Sequence, residues 1–198
     1  MINTGKDWVV IGDVSGHGVP AGLLMMMVQT AIQTLVRKFP DMLPSDVLLA
    51  VNAALKYNIT QMAEDKYMSI TLIAFEPDGQ ATYCGLHQDL LVYRHATGRV
   101  ERVPSSGIWI SRWDFDAEGI GDDSFHMDAG DVLLLYTDGI TEARHPDGTL
   151  FSEEKLVDIF QRVGTCPAAQ IKYAILGALD NGYIIRDDVT MVIVKRTM

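Results

Sequence analysis

One stretch constrains the fold more than any other: Trp8–Leu24, WVVIGDVSGHGVPAGLL. The apolar run Trp8–Ile11 has the character of a buried strand. It stops at Asp13, passes through the small residues of Val14–Gly18, and enters a long, Met-rich apolar segment. This order predicts a strand, a tight acidic loop and the start of a helix. Gly16 and Gly18 open backbone angles that other residues resist. Pro20 suits a first helical turn, where its missing N–H is not needed. An ionised side chain at the end of a buried strand must be compensated by something, so a functional reading has to explain Asp13.

The rest of the chain supplies the partners. Apolar residues Met25, Val28, Ile32, Leu35 and Val36 continue the first helix to Phe39, where Pro40 ends it. Met25, Met26 and Met27 are expected to fill core gaps rather than line a groove. Ser45 is the expected cap of a second helix, Asp46–Tyr57, with Val47, Leu48, Val51, Ala54 and Leu55 inward. The pattern then turns to strands. Tyr67–Phe75 and Gln80–Cys84 form a hairpin around Pro77-Asp78-Gly79, and Leu90–Arg94 and Arg99–Val103 form a second around Ala96-Thr97-Gly98. Ser111–Asp123 carries acids and few core signals, as expected of an excursion over a sheet edge. After a turn at Asp128–Asp131, Val132–Thr137 is a buried strand. Helices Ser152–Val163, capped by Ser152, and Pro167–Asp180 follow, and Val189–Lys195 is a last strand. The sum is an α+β layered architecture with mostly antiparallel strands.

Three core strands share one oddity. WVVIGD and VLLLYTD run into an acid, and DDVTMVIV leaves one. In an antiparallel sheet the end of one strand lies beside the start of its neighbour. Asp13, Asp138 and Asp187 or Asp188 are therefore expected to meet at one sheet edge. Clustered carboxylates repel unless a cation neutralises them, and hard oxygen donors favour Mg²⁺ or Mn²⁺ over Zn²⁺.

Composition removes other classes. A net charge of −10 leaves no basic face for phosphates, so no nucleic-acid partner is expected. The 198 residues, 48% apolar, suffice for a sizeable core, and the chain reads as one domain, residues 1–198. Cys84 and Cys166 are expected as reduced thiols in a cytoplasmic protein. No apolar run reads as long enough to span a bilayer, and no membrane contact is expected. The abrupt start reads as a domain cut from a longer protein. HExxH, GxxxxGK[ST] and GxSxG are absent, which disfavours zinc hydrolase, P-loop and serine-hydrolase chemistry. Ser15 and His17 are too close in a tight loop to act as nucleophile and base.

The segments GDVSGHGVPAGLLM, GDVLLLYTDGITEAR with FSEEKL, and RDDVTMVIV resemble the SpoIIE-type (sporulation stage II protein E) bacterial phosphatases, a branch of the metal-dependent type 2C serine/threonine protein phosphatases. Cys84-Gly85-Leu86-His87 resembles an altered copy of a family segment close to AGH. The resemblance covers nearly the whole chain. It implies a β-sandwich flanked by helices, four layers αββα, with two Mn²⁺ or Mg²⁺ ions at one end. Asp13 would bridge the ions, and the Val14 carbonyl, Asp138 and Asp187 would complete the ligands. Asp188 and Gly139 would stand behind them. A water made acidic by the ions would attack a phosphoserine or phosphothreonine in line. The position two residues after the bridging acid, a His in animal enzymes, is Ser15, so no general acid is assigned. A further metal-binding Asp that relatives carry in a GGD-like strand lies outside this sequence. The implied substrate is a phosphorylated anti-sigma-factor antagonist, under control of an upstream sensor or receiver domain. The first helix pair is open to a homodimer contact as well as to ordinary packing. The alternative is a non-catalytic regulatory module with a vestigial metal site.

Overall fold

A computed structural model describes residues 2–3, 5–62, 66–115 and 120–197. In chain order the elements are β1 (Ile2–Asn3), β2 (Asp7–Val14), α1 (Val19–Lys38), α2 (Pro44–Gln61), β3 (Met68–Phe75), β4 (Gln80–Cys84), β5 (Leu90–Arg94), β6 (Arg99–Val103), β7 (Asp123–His126), β8 (Val132–Tyr136), α3 (Asp138–Thr141), α4 (Glu153–Val163), α5 (Ala168–Leu179) and β9 (Met191–Lys195). The chain forms two units, Met1–His87 with Ser105–His126, and Gln88–Pro104 with Met127–Met198. Every strand pairing within the two sheets is antiparallel.

The first unit holds a five-stranded sheet in the order β1-β2-β3-β4-β7. Period-two alternation builds one apolar face, with Trp8 from β2, Met68, Ile70, Leu72 and Ala74 from β3, and Cys84 from β4. Helix α1 contributes Leu24, Val28, Ile32 and Val36 to this core, and α2 contributes Val47, Leu48, Val51, Leu55 and Ile59. Each fully buried Leu or Ile stabilises the unit by about 1.5–3 kcal/mol.

Several expectations change here. Met25 and Met26 are exposed, at 42% and 54%, so they do not fill the core; the buried stripe of α1 falls on Ala21, Leu24, Val28, Ile32 and Val36 instead. Ala54 of α2 also faces out. Ser45 does not cap α2. The helix starts two residues ahead of Asp46, with Leu43 at the cap and Pro44 in the first turn. The Ser45 hydroxyl instead donates to Asp122 Oδ2 at 2.5 Å. The Ser111–Asp123 excursion ends in a strand, β7, in which Phe125 alone is buried. Residues 116–119 of that excursion lie outside the described residues. Finally, α1 is long and apolar enough to cross a membrane by length and composition, contrary to the run-length expectation. Its polar interruptions are Gln and Thr, not charges, until Arg37. In the first unit its inner stripe is core.

The second unit holds a four-stranded sheet in the order β6-β5-β8-β9. Leu91, Tyr93, Val132, Leu134 and Tyr136 pack against Leu156 and Phe160 of α4 and Ile171 and Ile175 of α5. The cap of α4 is the expected one. Ser152 accepts from the Lys155 N–H, and Glu153 and Glu154 occupy the first turn, where carboxylates favour the helix dipole. At the N-terminal end of β8, the buried Asp131 accepts from Arg94 Nη1 at 2.9 Å, from the His95 N–H at 2.8 Å and from the Asp128 N–H at 3.1 Å.

Candidate metal centre

The second unit supplies one acidic corner. β8 and β9 pair antiparallel with Tyr136 opposite Met191, so the residues after β8 lie beside those before β9. Thr137 fastens the two segments. Its hydroxyl donates to the Asp188 carbonyl at 3.1 Å and accepts from the Thr190 N–H at 3.0 Å, and its own N–H donates to the Thr190 carbonyl. Asp138 then opens the one-turn helix α3. Gly139 lets the strands close: a Cβ there would stand 2.3 Å from the Asp188 carbonyl oxygen and 3.2 Å from that of Asp187. Carboxylate oxygens of Asp138 and Asp187 lie within 4.8 Å of each other. Asp187 is exposed, and its Oδ1 accepts from the Asp188 N–H at 2.8 Å. Asp138 Oδ1 is buried and has no hydrogen-bond partner among the described residues.

The first unit supplies Asp13 near the end of β2, opposite Ser69, with Val14 opposite Met68. The pairing continues one step into the loop. The Ser15 N–H donates to the Tyr67 carbonyl at 2.9 Å, and Ser15 Oγ accepts from the Tyr67 N–H at 3.0 Å. Ser15 is thereby tied to the neighbouring strand. Gly16 follows with φ of 74°, and a Cβ there would meet Lys66 Nζ at 2.6 Å. Lys66 is buried at 7% exposure, so an ammonium rests over the loop that follows Asp13.

The structure thus brings Asp138 and Asp187 together through antiparallel pairing, as the strand-end pattern predicts. It corrects the idea of a single sheet edge, because Asp13 belongs to the other sheet. Asp188 meets the corner through its backbone, with its N–H on Asp187 and its carbonyl on Thr137. Sequence reasoning missed Thr137, Ser69 and Lys66. Thr137 had a signal, a β-branched hydroxyl between a buried strand and an acid. Ser69 and Lys66 matter only through pairings that the linear pattern does not show.

The chemistry of the donors fits a hard divalent cation. Ionised carboxylates held this close repel, and a buried carboxylate oxygen without a donor is costly unless a cation meets it.

A profile of the stage II sporulation protein E (SpoIIE) family matches residues 3–197. The chain belongs to this family. It is 26% identical over 195 residues to the phosphoserine phosphatase RsbU of Bacillus subtilis, covering 95% of this chain and 55% of that one. The chain therefore spans about half the length of that relative. Among solved structures, the SiaA-PP2C domain of Pseudomonas aeruginosa superposes with a TM-score of 0.80 at 19% identity, covering 98% of this chain and 78% of that one. The RsbU and RsbW domains of Rv1364c from Mycobacterium tuberculosis give a TM-score of 0.79 at 22% identity, covering 98% and 52%. This SpoIIE-family chain thus has the mixed helix and antiparallel-sheet fold of the type 2C phosphatases, as its motifs imply.

Proposed function

We propose that this SpoIIE-family chain is a metal-dependent phosphoprotein phosphatase acting on phosphoserine or phosphothreonine. The observation that carries the reading is the buried, unpartnered Asp138 Oδ1 beside Asp187. The protein leaves this charge for a ligand to satisfy. Asp13, the Val14 carbonyl, Asp138 and Asp187 are the proposed donors for Mn²⁺ or Mg²⁺. Thr137, Gly139 and the Asp188 backbone keep the Asp138–Asp187 pair in place. When bound, such ions acidify water and offset the charge that grows on phosphoryl oxygens. Support for a protein substrate comes from the similarity to a phosphoserine phosphatase. A structural neighbour that holds both RsbU and RsbW domains supports a partner-switching regulator, of the anti-sigma-factor-antagonist kind, as the phosphorylated partner. The proposed setting is the cytoplasm. An upstream sensor or receiver domain would supply control.

Hydrolysis of a phosphoseryl protein and of p-nitrophenyl phosphate, with and without Mn²⁺, tests the reading. Turnover that requires Mn²⁺ and is lost in both Asp13→Ala and Asp138→Ala is the expected result. Metal-independent turnover, or full activity in either variant, overturns it.

A further inference from the structure

The first unit contains a second feature that the metal reading leaves unused. At the end of β4, Cys84 pairs with Leu72, and the chain then bends back over β3 at Gly85. Gly85 has φ of 118°, and a Cβ there would stand 2.2 Å from the Ile70 carbonyl oxygen. Only glycine permits both the angle and the approach. The consequence is that Leu86 accepts from the Ile70 N–H at 3.0 Å, and His87 is delivered to Ser69. Ser69 Oγ lies 2.9 Å from His87 Nδ1 and donates to the Asp13 carbonyl at 3.3 Å. His87 is itself clamped on both sides of its backbone by Ser105. The Ser105 hydroxyl donates to the His87 carbonyl at 2.6 Å and accepts from the His87 N–H at 3.2 Å.

Proton counting couples the two contacts of Ser69. Ser69 has one hydroxyl hydrogen. When that hydrogen goes to the Asp13 carbonyl, Ser69 Oγ must accept from His87, which requires the proton on Nδ1. A 3.3 Å contact is long for a hydroxyl donor, and a proton on His87 Nδ1 is the arrangement in which the shorter 2.9 Å contact leaves the hydroxyl hydrogen to Asp13, whereas the other tautomer would draw it away.

We infer that His87 and Ser69 are positioning residues: a clamped imidazole orients a hydroxyl that holds the Asp13 backbone, and with it the carboxylate and the Val14 carbonyl, where a divalent ion is to be taken. The inference rests on the proposed role of Asp13 as a ligand. Partners that orient ligands in this way typically change metal affinity by about 10–100-fold when removed. The role is mechanical, and it is written into the stretch Cys84–His87, which the proposed chemistry does not otherwise use.

The test uses the full chain with His87→Ala, His87→Asn, Ser69→Ala and the Ser69→Ala/His87→Ala double variant. Two readouts are taken: Mn²⁺ affinity by calorimetry, and amide hydrogen exchange at Val14 and Ser15 without metal. His87→Ala and Ser69→Ala are each expected to weaken Mn²⁺ binding by about 10-fold or more. Both are also expected to speed exchange at the strand end. His87→Asn, whose amide can replace the Nδ1–H donor, should recover most of the loss, and the double variant should be no worse than either single one. The imidazole ¹⁵N spectrum should show Nδ1 as the protonated nitrogen. Wild-type exchange and affinity in both single variants, additive losses in the double variant, or an Nε2–H imidazole would overturn the inference. Ser69→Ala removes only a hydroxyl, so it decides the question if His87→Ala fails to fold. A wild type that binds no Mn²⁺ removes the metal reading, and the exchange rates alone then decide the relay.

Discussion

At the start of β8, Asp131 is 1% exposed and its two carboxylate oxygens collect three donors, one of them the Arg94 guanidinium. Two residues past the other end of the same strand, Asp138 is half-buried, and its closed-off Oδ1 collects none among the described residues. The two acids have the same chemistry and flank the same five-residue strand. One is satisfied by the protein and so contributes to holding it together. The other is left unsatisfied, beside a second carboxylate, and so has capacity for something that is not protein. A buried charge therefore says little about function until its partners are counted.

The contrast can be broken most directly at Asp131. Asp131→Ala removes one of the two carboxylates that Arg94 pairs with, Glu101 being the other, and takes the acceptor from the His95 and Asp128 N–H groups, and is expected to destabilise the chain by about 3 kcal/mol in urea unfolding. A loss below about 1 kcal/mol would show that the saturated acid is no more structural than its counterpart. Asp138→Asn should do the reverse. It keeps the shape, removes the repelling charge and is expected to change unfolding stability by less than about 1 kcal/mol. Mn²⁺ affinity should nevertheless fall by at least about 100-fold, some 2.7 kcal/mol. Calorimetry that finds unchanged Mn²⁺ binding in this variant would end the distinction from the other side.

A smaller effect is expected at Gly139→Ala, where the added methyl meets the Asp188 carbonyl. Overpacking of this kind costs roughly 1–3 kcal/mol, and Mn²⁺ binding should weaken with it as the Asp138–Asp187 pair is pushed apart. A variant that melts like wild type and binds Mn²⁺ normally would mean that the corner is not held by close backbone packing.

The smallest effect concerns buried groups that stay uncharged. Burial, with Asp122 nearby, pushes the Cys84 thiol from 9.0 up to about 12. Burial and the hydrogen bond to Glu153 push Tyr136 well above its usual value of 10.0. Both groups hold their protons in the folded chain, while the unfolded chain releases them near the ordinary values. Their contribution is thus complete below about pH 9 and is lost as pH rises from there through the raised values. Melting temperature followed from pH 8 to pH 11 should fall, and Cys84→Ala should flatten the first part of the fall. A flat profile in wild type would remove both groups from the account.

What was legible in the sequence was whatever local chemistry decides. Ser152 reads as a cap because the hydroxyl, the two glutamates and the apolar run lie within a few residues. The Asp138–Asp187 pair was legible because adjacent antiparallel strands put an end beside a start. Ser45 looks like a cap but is not one, because the residue that claims its hydroxyl, Asp122, lies 77 positions away. That Asp13 belongs to a different sheet from Asp138 and Asp187 is not legible, since an apolar run states that a strand is buried but not which strand it pairs with. Met25 and Met26 fit the apolar stretch but fall off the buried stripe of α1, a rotation of one helical face. Asp131 does close the expected turn, its N–H on the Asp128 carbonyl, but the linear pattern does not show that its side chain is buried. One of its three donors, the Asp128 N–H, is local to the turn, but the Arg94 guanidinium and the His95 N–H come from a strand end that only the folded chain brings close.

The two thiols differ in a way that reaches beyond stability. Cys84 is sealed at 0% exposure, while Cys166 is half-buried in the connection between α4 and α5, where the Lys195 ammonium donates to its carbonyl and to that of Thr165. A maleimide dye or spin label offered at neutral pH to the native protein will therefore attach at Cys166. The molecule carries its own single address for a spectroscopic reporter, on the connection that leads into α5, with no engineered cysteine required.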